Sequence, residues 1–166
     1  MPNITYFKQG DPRWANVLIQ GTRLPLWRWG CTLTDVCTLL SWVGNPMTPA
    51  QLARIPGLFT GDGLIIWAQI EKATKGAIKF QKRIGGRLAS GRHIFRRDDK
   101  AIKEAILGSP KTVVIIEVNY GRHWVAGLGV TPDGKDYWVA DPLDGKRKQL
   151  LKTYSNITGS AHLILA

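Results

Sequence analysis

Along the first half of the chain the apolar positions recur at helical spacing. Between Thr32 and Val43, "TLTDVCTLLSWV", the residues Leu33, Val36, Cys37, Leu40 and Val43 fall three and four apart. Gly44 stands where a left-handed cap belongs, which predicts a helix. Thr48-Pro49-Ala50-Gln51 predicts a second, short one: Thr48 caps it, Pro49 suits the first helical position, Gln51 reaches back to complete a capping box, and Pro56 bounds it. A third helix is expected from Leu64 to Lys75, where Ile65, Ala68, Gln69 and Lys72 share a face before Gly76. A fourth is expected from Asp98 to Leu107, opened by Asp98-Asp99 and stopped by Gly108 and Pro110. The residues up to Trp29 alternate poorly and carry Gly10, Pro12, Gly21 and Pro25, so they read as a loop-rich opening segment.

After Pro110 the pattern changes. "KTVVIIEV", "HWVAGLGV", "YWVADP" and "AHLILA" are short β-branched or aromatic runs separated by turn clusters such as Asn119-Tyr120-Gly121 and Pro132-Asp133-Gly134. They predict antiparallel strands. Helices first and strands after, without βαβ alternation, predict an α+β architecture in which N-terminal helices pack on a C-terminal antiparallel sheet. A length of 166 residues with no internal repeat suits one domain, 1–166, with a core of its own.

Charge adds a second theme. Lys and Arg number 23 against 12 Asp and Glu, a net +11 that favours a polyanionic neighbour such as nucleic acid, anionic lipid or an anionic cell-wall polymer. Seven of the 23 lie between Lys79 and Arg97, "KFQKRIGGRLASGRHIFRR", with no acid among them. Gly85, Gly86 and Gly91 predict a mobile loop there between the third and fourth helices. In it Arg83, Arg87, Arg92, Arg96 and Arg97 either contact a polyanion or simply solvate a weakly structured segment. Lys146-Arg147-Lys148 and Lys152 form a second basic run. Nucleic acid stays open as a partner, although no helix-turn-helix, RNP aromatic pattern or zinc spacing accompanies the charge. No apolar run approaches the roughly 20 residues of a transmembrane helix, and the N-terminus lacks the basic flank and apolar core of a secretory signal. A soluble chain made in the cytoplasm without an export address of its own is therefore expected.

The chain has two cysteines, Cys31 and Cys37, six positions apart. Along a helix that spacing is a rise of about 9 Å, too long for a disulfide. The histidines His93, His123 and His162 show no paired spacing that would complete a metal site, so neither a metal nor a cofactor is expected. Cys37 lies inside the apolar stripe and reads as a packing residue. Cys31 follows Gly30 at the first turn, where unpaired N–H groups and the helix dipole stabilise a thiolate and can hold a developing oxyanion. The alternative for Cys31 is a small residue required by a tight turn. A thiol nucleophile needs a base, and the base an orienting partner. His123 opens one predicted strand and Asp141 ends another; if the two pair across the Pro132-Asp133-Gly134 turn, both residues lie at one end of a hairpin. An exposed turn histidine and a turn-capping aspartate are the alternatives.

Taken in order, "YFKQGDPRWAN", "WGCTLTDVCTLLSWVG" with "MTPAQL", "HWVAGLG" and "YWVADPLDG" resemble the C39-like papain-fold cysteine peptidases over most of the chain. The resemblance implies a papain-like fold, a catalytic thiol at Cys31, a base at His123, an orienting acid at Asp141 and an oxyanion donor at Gln9, with Gln20 the alternative donor. Two departures narrow it. Thr32 stands where the family commonly has a second glycine, which tightens access to the thiol. Pro25 stands where the transporter-linked leader peptidases place their glutamine. The chain therefore looks more like the free-standing branch, which includes cell-wall lytic domains of bacteriophages. The resemblance thus implies a monomeric, cofactor-free enzyme that cleaves amide bonds in bacterial peptidoglycan peptides as an endolysin does. It would be held on the anionic wall by its cationic surface and brought there by a holin or a phage tail. A peptidase of protein or leader-peptide substrates, and a catalytically dead scaffold with a polyanion-binding loop, are the alternatives.

Overall fold

The computed structural model describes residues 3–87 and 90–166. Six helices are named in chain order: α1 (Leu26–Trp29), α2 (Cys31–Trp42), α3 (Pro49–Ala53), α4 (Ile70–Ala73), α5 (Asp99–Leu107) and α6 (Leu150–Thr153). Seven strands accompany them: β1 (Ile78–Arg87), β2 (His93–Ile94), β3 (Thr112–Val118), β4 (His123–Val130), β5 (Tyr137–Asp141), β6 (Lys146–Gln149) and β7 (Ile157–Leu165). The strands form one sheet in the order β2-β1-β7-β3-β4-β5-β6, and every neighbouring pair is antiparallel. The architecture is α+β, as the pattern of apolar positions predicts.

The strand β3, "TVVIIEV", reads as a nearly continuous apolar run because both of its faces are covered. Val113 and Ile115 join the core beneath α2. Val114, Ile116 and Val118 join a second core with Ile102 and Ala105 of α5. Alternation sends Glu117 to the α2 face, where it is a buried acid held by His93 and the Thr158 hydroxyl. Within α2 every residue from Leu33 to Ser41 is buried. Leu33, Leu39 and Leu40 are sealed almost completely, each contributing about 1.5–3 kcal/mol by leaving water. The opening segment runs over this helix as a strap: the Thr5 N–H donates to Ser41 Oγ at 2.9 Å and the Phe7 N–H to Thr38 Oγ1 at 3.4 Å. These polar positions of the helix are thereby satisfied by chain passing over it.

Local signals account for most boundaries. Gly44 has φ 73° just past α2, and α3 carries the complete Thr48/Gln51 capping box with Pro49 at its start. Asp98 caps α5 by accepting from the Ala101 N–H.

Four expectations are corrected. The basic segment 79–97 is not a loop between helices. Residues 79–87 belong to β1, which pairs with β7 from Ile78 to Gly85, and β2 pairs back onto Gly86 and Arg87; Leu88 and Ala89 lie outside the described residues. A bulge between Phe80 and Lys82 breaks the alternation that would have identified the strand. Its glycines serve close packing: a Cβ on Gly85 would stand 2.9 Å from the Ile94 carbonyl oxygen. The expected helix from Leu64 to Lys75 contracts to a 3-10 turn at Trp67–Gln69 and the single turn α4, because Ile65 is drawn into a bridge with Phe59. Helices and strands are also less segregated than expected, since β1 and β2 precede α5, and the last strand begins at Ile157 rather than Ala161. No helix among the described residues is long and apolar enough to cross a membrane.

Candidate active site

Gly30 makes the junction on which Cys31 sits. A Cβ there would stand 2.6 Å from the Leu26 carbonyl oxygen, so a glycine is needed for α1 to pass directly into α2. Cys31 is then the first residue of a twelve-residue helix, where the first-turn N–H groups lack intrahelical acceptors and the positive end of the dipole faces the thiol. Cys31 is half-buried, whereas Cys37 is buried in the core, and both are free.

His123 is the first residue of β4. The turn before it is held by left-handed Asn119 and Tyr120, with the Tyr120 N–H donating to Asn156 Oδ1 at 2.8 Å. Strands β4 and β5 form the hairpin expected, with Val130 opposite Tyr137 and Ala126 opposite Ala140. His123 and Asp141 therefore meet at its open end, and His123 Nε2 lies 2.7 Å from Asp141 Oδ1. With Nε2 engaged by the carboxylate, Nδ1 is left free, and the imidazole and the Cys31 thiol are near enough for each to shift the other's pKa. The three residues come from α2, β4 and β5, and the fold brings them together.

Asp141 is 1% exposed and has further partners. The Tyr154 hydroxyl donates to Oδ2, Lys148 Nζ lies 3.1 Å from Oδ2, and the Leu143 N–H donates to Oδ1 at 3.0 Å. Burial alone would raise its pKa, but the hydrogen bonds from His123 and Tyr154 and the His123 charge hold the carboxyl well below the usual carboxylate range. Burial would likewise favour neutral His123, yet Asp141 and Cys31 raise the imidazolium from 6.5 to about 9. For Cys31 burial raises the thiol, and the His123 interaction, the Thr32 hydroxyl and the Trp124 N–H outweigh it, leaving the pKa below its ordinary value. Thr32 Oγ1 stands 3.8 Å from Sγ. Both shifts run in the direction of a thiolate–imidazolium pair. Cys37 contrasts with it, because burial and the nearby Asp35 push its thiol well up.

Gln9 is 3% exposed. Its N–H donates to the Pro142 carbonyl at 2.7 Å, and its side-chain Nε2 donates to the Trp27 carbonyl at 2.9 Å. These bonds fix it between the segment that carries Asp141 and the helix that leads into Cys31. Gln20, the alternative donor, is exposed. Asp35, one turn beyond Cys31, is buried with Oδ2 lacking a hydrogen-bond partner. Burial first, then Cys31 and Asp141, raise its pKa well above the ordinary carboxylate value.

The five arginines expected to act together do not form one arm. Arg83 and Arg87 lie on β1 and line the cleft that contains Cys31. Arg92 is exposed. Arg96 and Arg97 pair with Asp98 and Asp99 at 3.9 and 2.7 Å. Tyr154, Lys148 and Asp35 are contacts that sequence reasoning missed. Lys148 was visible only as part of a basic run, and nothing in the spacing of the other two marks them. Among the described residues no group of three or more His, Cys, Asp and Glu side chains is arranged to hold a metal ion.

No family model matches the chain, and no curated protein matches it. Among solved structures the chain is similar to the N-terminal peptidase C39 like domain of the toxin secretion ATP-binding protein from Vibrio parahaemolyticus. That likeness has 13% identity and a TM-score of 0.44, and it covers 77% of this chain and 90% of that one.

Proposed function

We propose that the protein is a cysteine hydrolase that cleaves an amide bond, with Cys31 as nucleophile, His123 as general acid and base, Asp141 as the residue that orients His123, and Gln9 as an oxyanion donor. One observation carries this reading. A thiol at a helix N-terminus, an imidazole and a buried carboxylate stand in series, with the thiol pKa lowered and the imidazolium raised to about 9. A merely structural cysteine at a tight turn has no use for that series.

The chemistry follows from the groups present. The Cys31 thiolate attacks the amide carbonyl, and its sulfur forms a bond to carbon as the carbonyl π pair moves to oxygen. The Cys31 N–H and the second hydrogen of Gln9 Nε2, whose first is on Trp27, are the donors proposed to receive that oxyanion. His123 gives its proton to the departing nitrogen as the C–N bond breaks, leaving a thioester on Cys31 and a free amine. His123 then takes a proton from water, whose oxygen attacks the thioester. The carboxylic acid leaves and the thiolate–imidazolium pair is restored. Asp141 keeps its charge throughout and holds the ring by Nε2.

Bacterial peptidoglycan peptides are the proposed substrate. The net +11 supports this choice, since it suits an anionic wall, as does the resemblance to free-standing lytic domains. The test compares the wild type with Cys31→Ala on purified peptidoglycan, by turbidity and by mass spectrometry of released fragments. Clearing by the wild type alone, with one new amine and one new carboxyl end per cut, is the expected result. No clearing alongside cleavage of a soluble peptide would remove the wall as substrate. No cleavage of either would remove the hydrolase reading.

A further inference from the structure

Four arginines converge on the cleft beside Cys31. Arg28 from α1, Arg83 and Arg87 from β1, and Arg122 from the turn before β4 line the same cavity of about 660 Å³ as the thiol. They come from three segments far apart in sequence, so the concentration of charge is a product of the fold and not of one basic run. Among the described residues none of the four makes an ion pair. Two acids share the wall with them. Glu117 is 1% exposed and already bound, to His93 Nε2 at 2.7 Å and to the Thr158 hydroxyl at 2.8 Å. Asp62 is exposed. Trp29 and Trp124 supply apolar wall, with the Arg28 guanidinium 5.3 Å from the Trp29 ring centroid.

Unpaired guanidinium groups in a concave site with apolar walls focus a positive potential. They also present the planar, forked donors that bind a carboxylate in two places at once. We infer that this cleft is a specificity subsite for a substrate residue bearing a free carboxylate close to the scissile amide, so that acidic peptides are preferred over neutral ones. The inference rests on the reading of Cys31 as nucleophile. It gives Arg83 and Arg87 a different part from the surface contact with a polyanion expected of them. Their target is a single carboxylate delivered to the thiol, and Arg28 and Arg122 join them while Arg96 and Arg97 do not.

Two alkylating agents that differ by one charge test it directly. Rates of Cys31 alkylation by iodoacetate and by iodoacetamide are measured for the wild type, for Arg83→Gln/Arg87→Gln and for Arg96→Gln/Arg97→Gln. The ratio of the two rates cancels changes in thiolate content. The expected result is a ratio that falls roughly three- to tenfold in the Arg83/Arg87 variant, the Coulomb effect of two charges several ångströms away, and that stays at the wild-type value in the Arg96/Arg97 variant. Raising the salt should lower the wild-type ratio in the same way. In a second arm, acetyl-Ala-Glu-Ala-amide should protect Cys31 from iodoacetamide better than acetyl-Ala-Gln-Ala-amide. An unchanged ratio in the Arg83/Arg87 variant, or equal protection by the two peptides, overturns the inference. Failure of the nucleophile reading looks different: wild-type Cys31 would react with iodoacetamide no faster than glutathione, while the ratio would still decide the anion preference of the cleft. Circular dichroism of each variant separates misfolding from loss of charge.

Discussion

Replacing Asp141 by Asn probes the electrostatic centre of the site without needing a substrate. The folded protein raises His123 from 6.5 to about 9, a preference for imidazolium worth about 3 kcal/mol. That preference persists against the burial of a side chain only 10% exposed, so the carboxylate at 2.7 Å and Cys31 together outweigh burial. In the Asp141→Asn protein the ring keeps a neutral neighbour of similar shape, and Cys31 alone is left to favour the charge. An opposite charge at this range moves a titration by about 1–3 pH units, so the His123 midpoint should fall by that amount. The chain has three histidines, which makes NMR titration of the imidazole Cε1–H signals tractable. His162, buried and with Lys82 nearby, is lowered to about 4 and gives an internal reference at the opposite end of the scale. With His123 raised to about 9, the imidazolium is lost as pH rises through that value, so turnover, which needs its proton for the leaving amine, should fall there while alkylation of the remaining thiolate should not. A wild-type His123 titrating near 6.5, or an Asp141→Asn protein whose midpoint stays at 9, would refute the argument.

Further outcomes are expected from single contacts. Gly30→Ala forces a Cβ against the Leu26 carbonyl and should cost about 1–3 kcal/mol in thermal unfolding; a variant with an unchanged Tm would contradict the role of the α1–α2 junction. Gln9→Ala should lower kcat by about 10²–10³ with little change in KM, the pattern of a lost oxyanion donor, whereas a rise in KM alone would assign Gln9 to ground-state binding. The folded chain holds the Asp35 proton to a higher pH than the unfolded chain, which releases it above about 3.8. Its contribution is complete below that pH and declines as pH rises towards the folded value. Asp35→Asn removes this decline, so it should raise Tm at pH 8 and flatten the dependence of Tm on pH; a lower Tm at pH 8 would show that the carboxyl is needed as such.

The parts of the site that were legible in sequence are those set by short-range rules. Helix spacing located α2 and put Cys31 at its start. Alternation in "HWVAGLGV" and "YWVADP", with a turn between them, specified a hairpin whose open end holds both His123 and Asp141. Strand β1 was not legible because its bulge breaks the alternation, its solvent side is filled with Lys and Arg, and its glycines, required by close approach to β2 and β7, look like turn residues. Tyr154 and Lys148 reach Asp141 through the tertiary placement of α6 and β6, which no local pattern encodes. The same holds for the four cleft arginines, two of which were counted with Arg96 and Arg97 only because they were neighbours in the chain.

The order of the strands bears on how the folded chain behaves in a crowd of its own copies. A sheet ends in two rows of unpaired backbone groups, and each can template a further strand from another molecule. Here one end is β2, only two residues long, and the other is β6, "KRKQ", with Lys146 and Arg147 exposed and Arg147 lying over the Trp138 ring at 4.1 Å. A second copy adding itself to β6 would bring like charges into register. Part of the positive charge that suggests an anionic partner thus also guards this edge of the sheet against pairing with another copy.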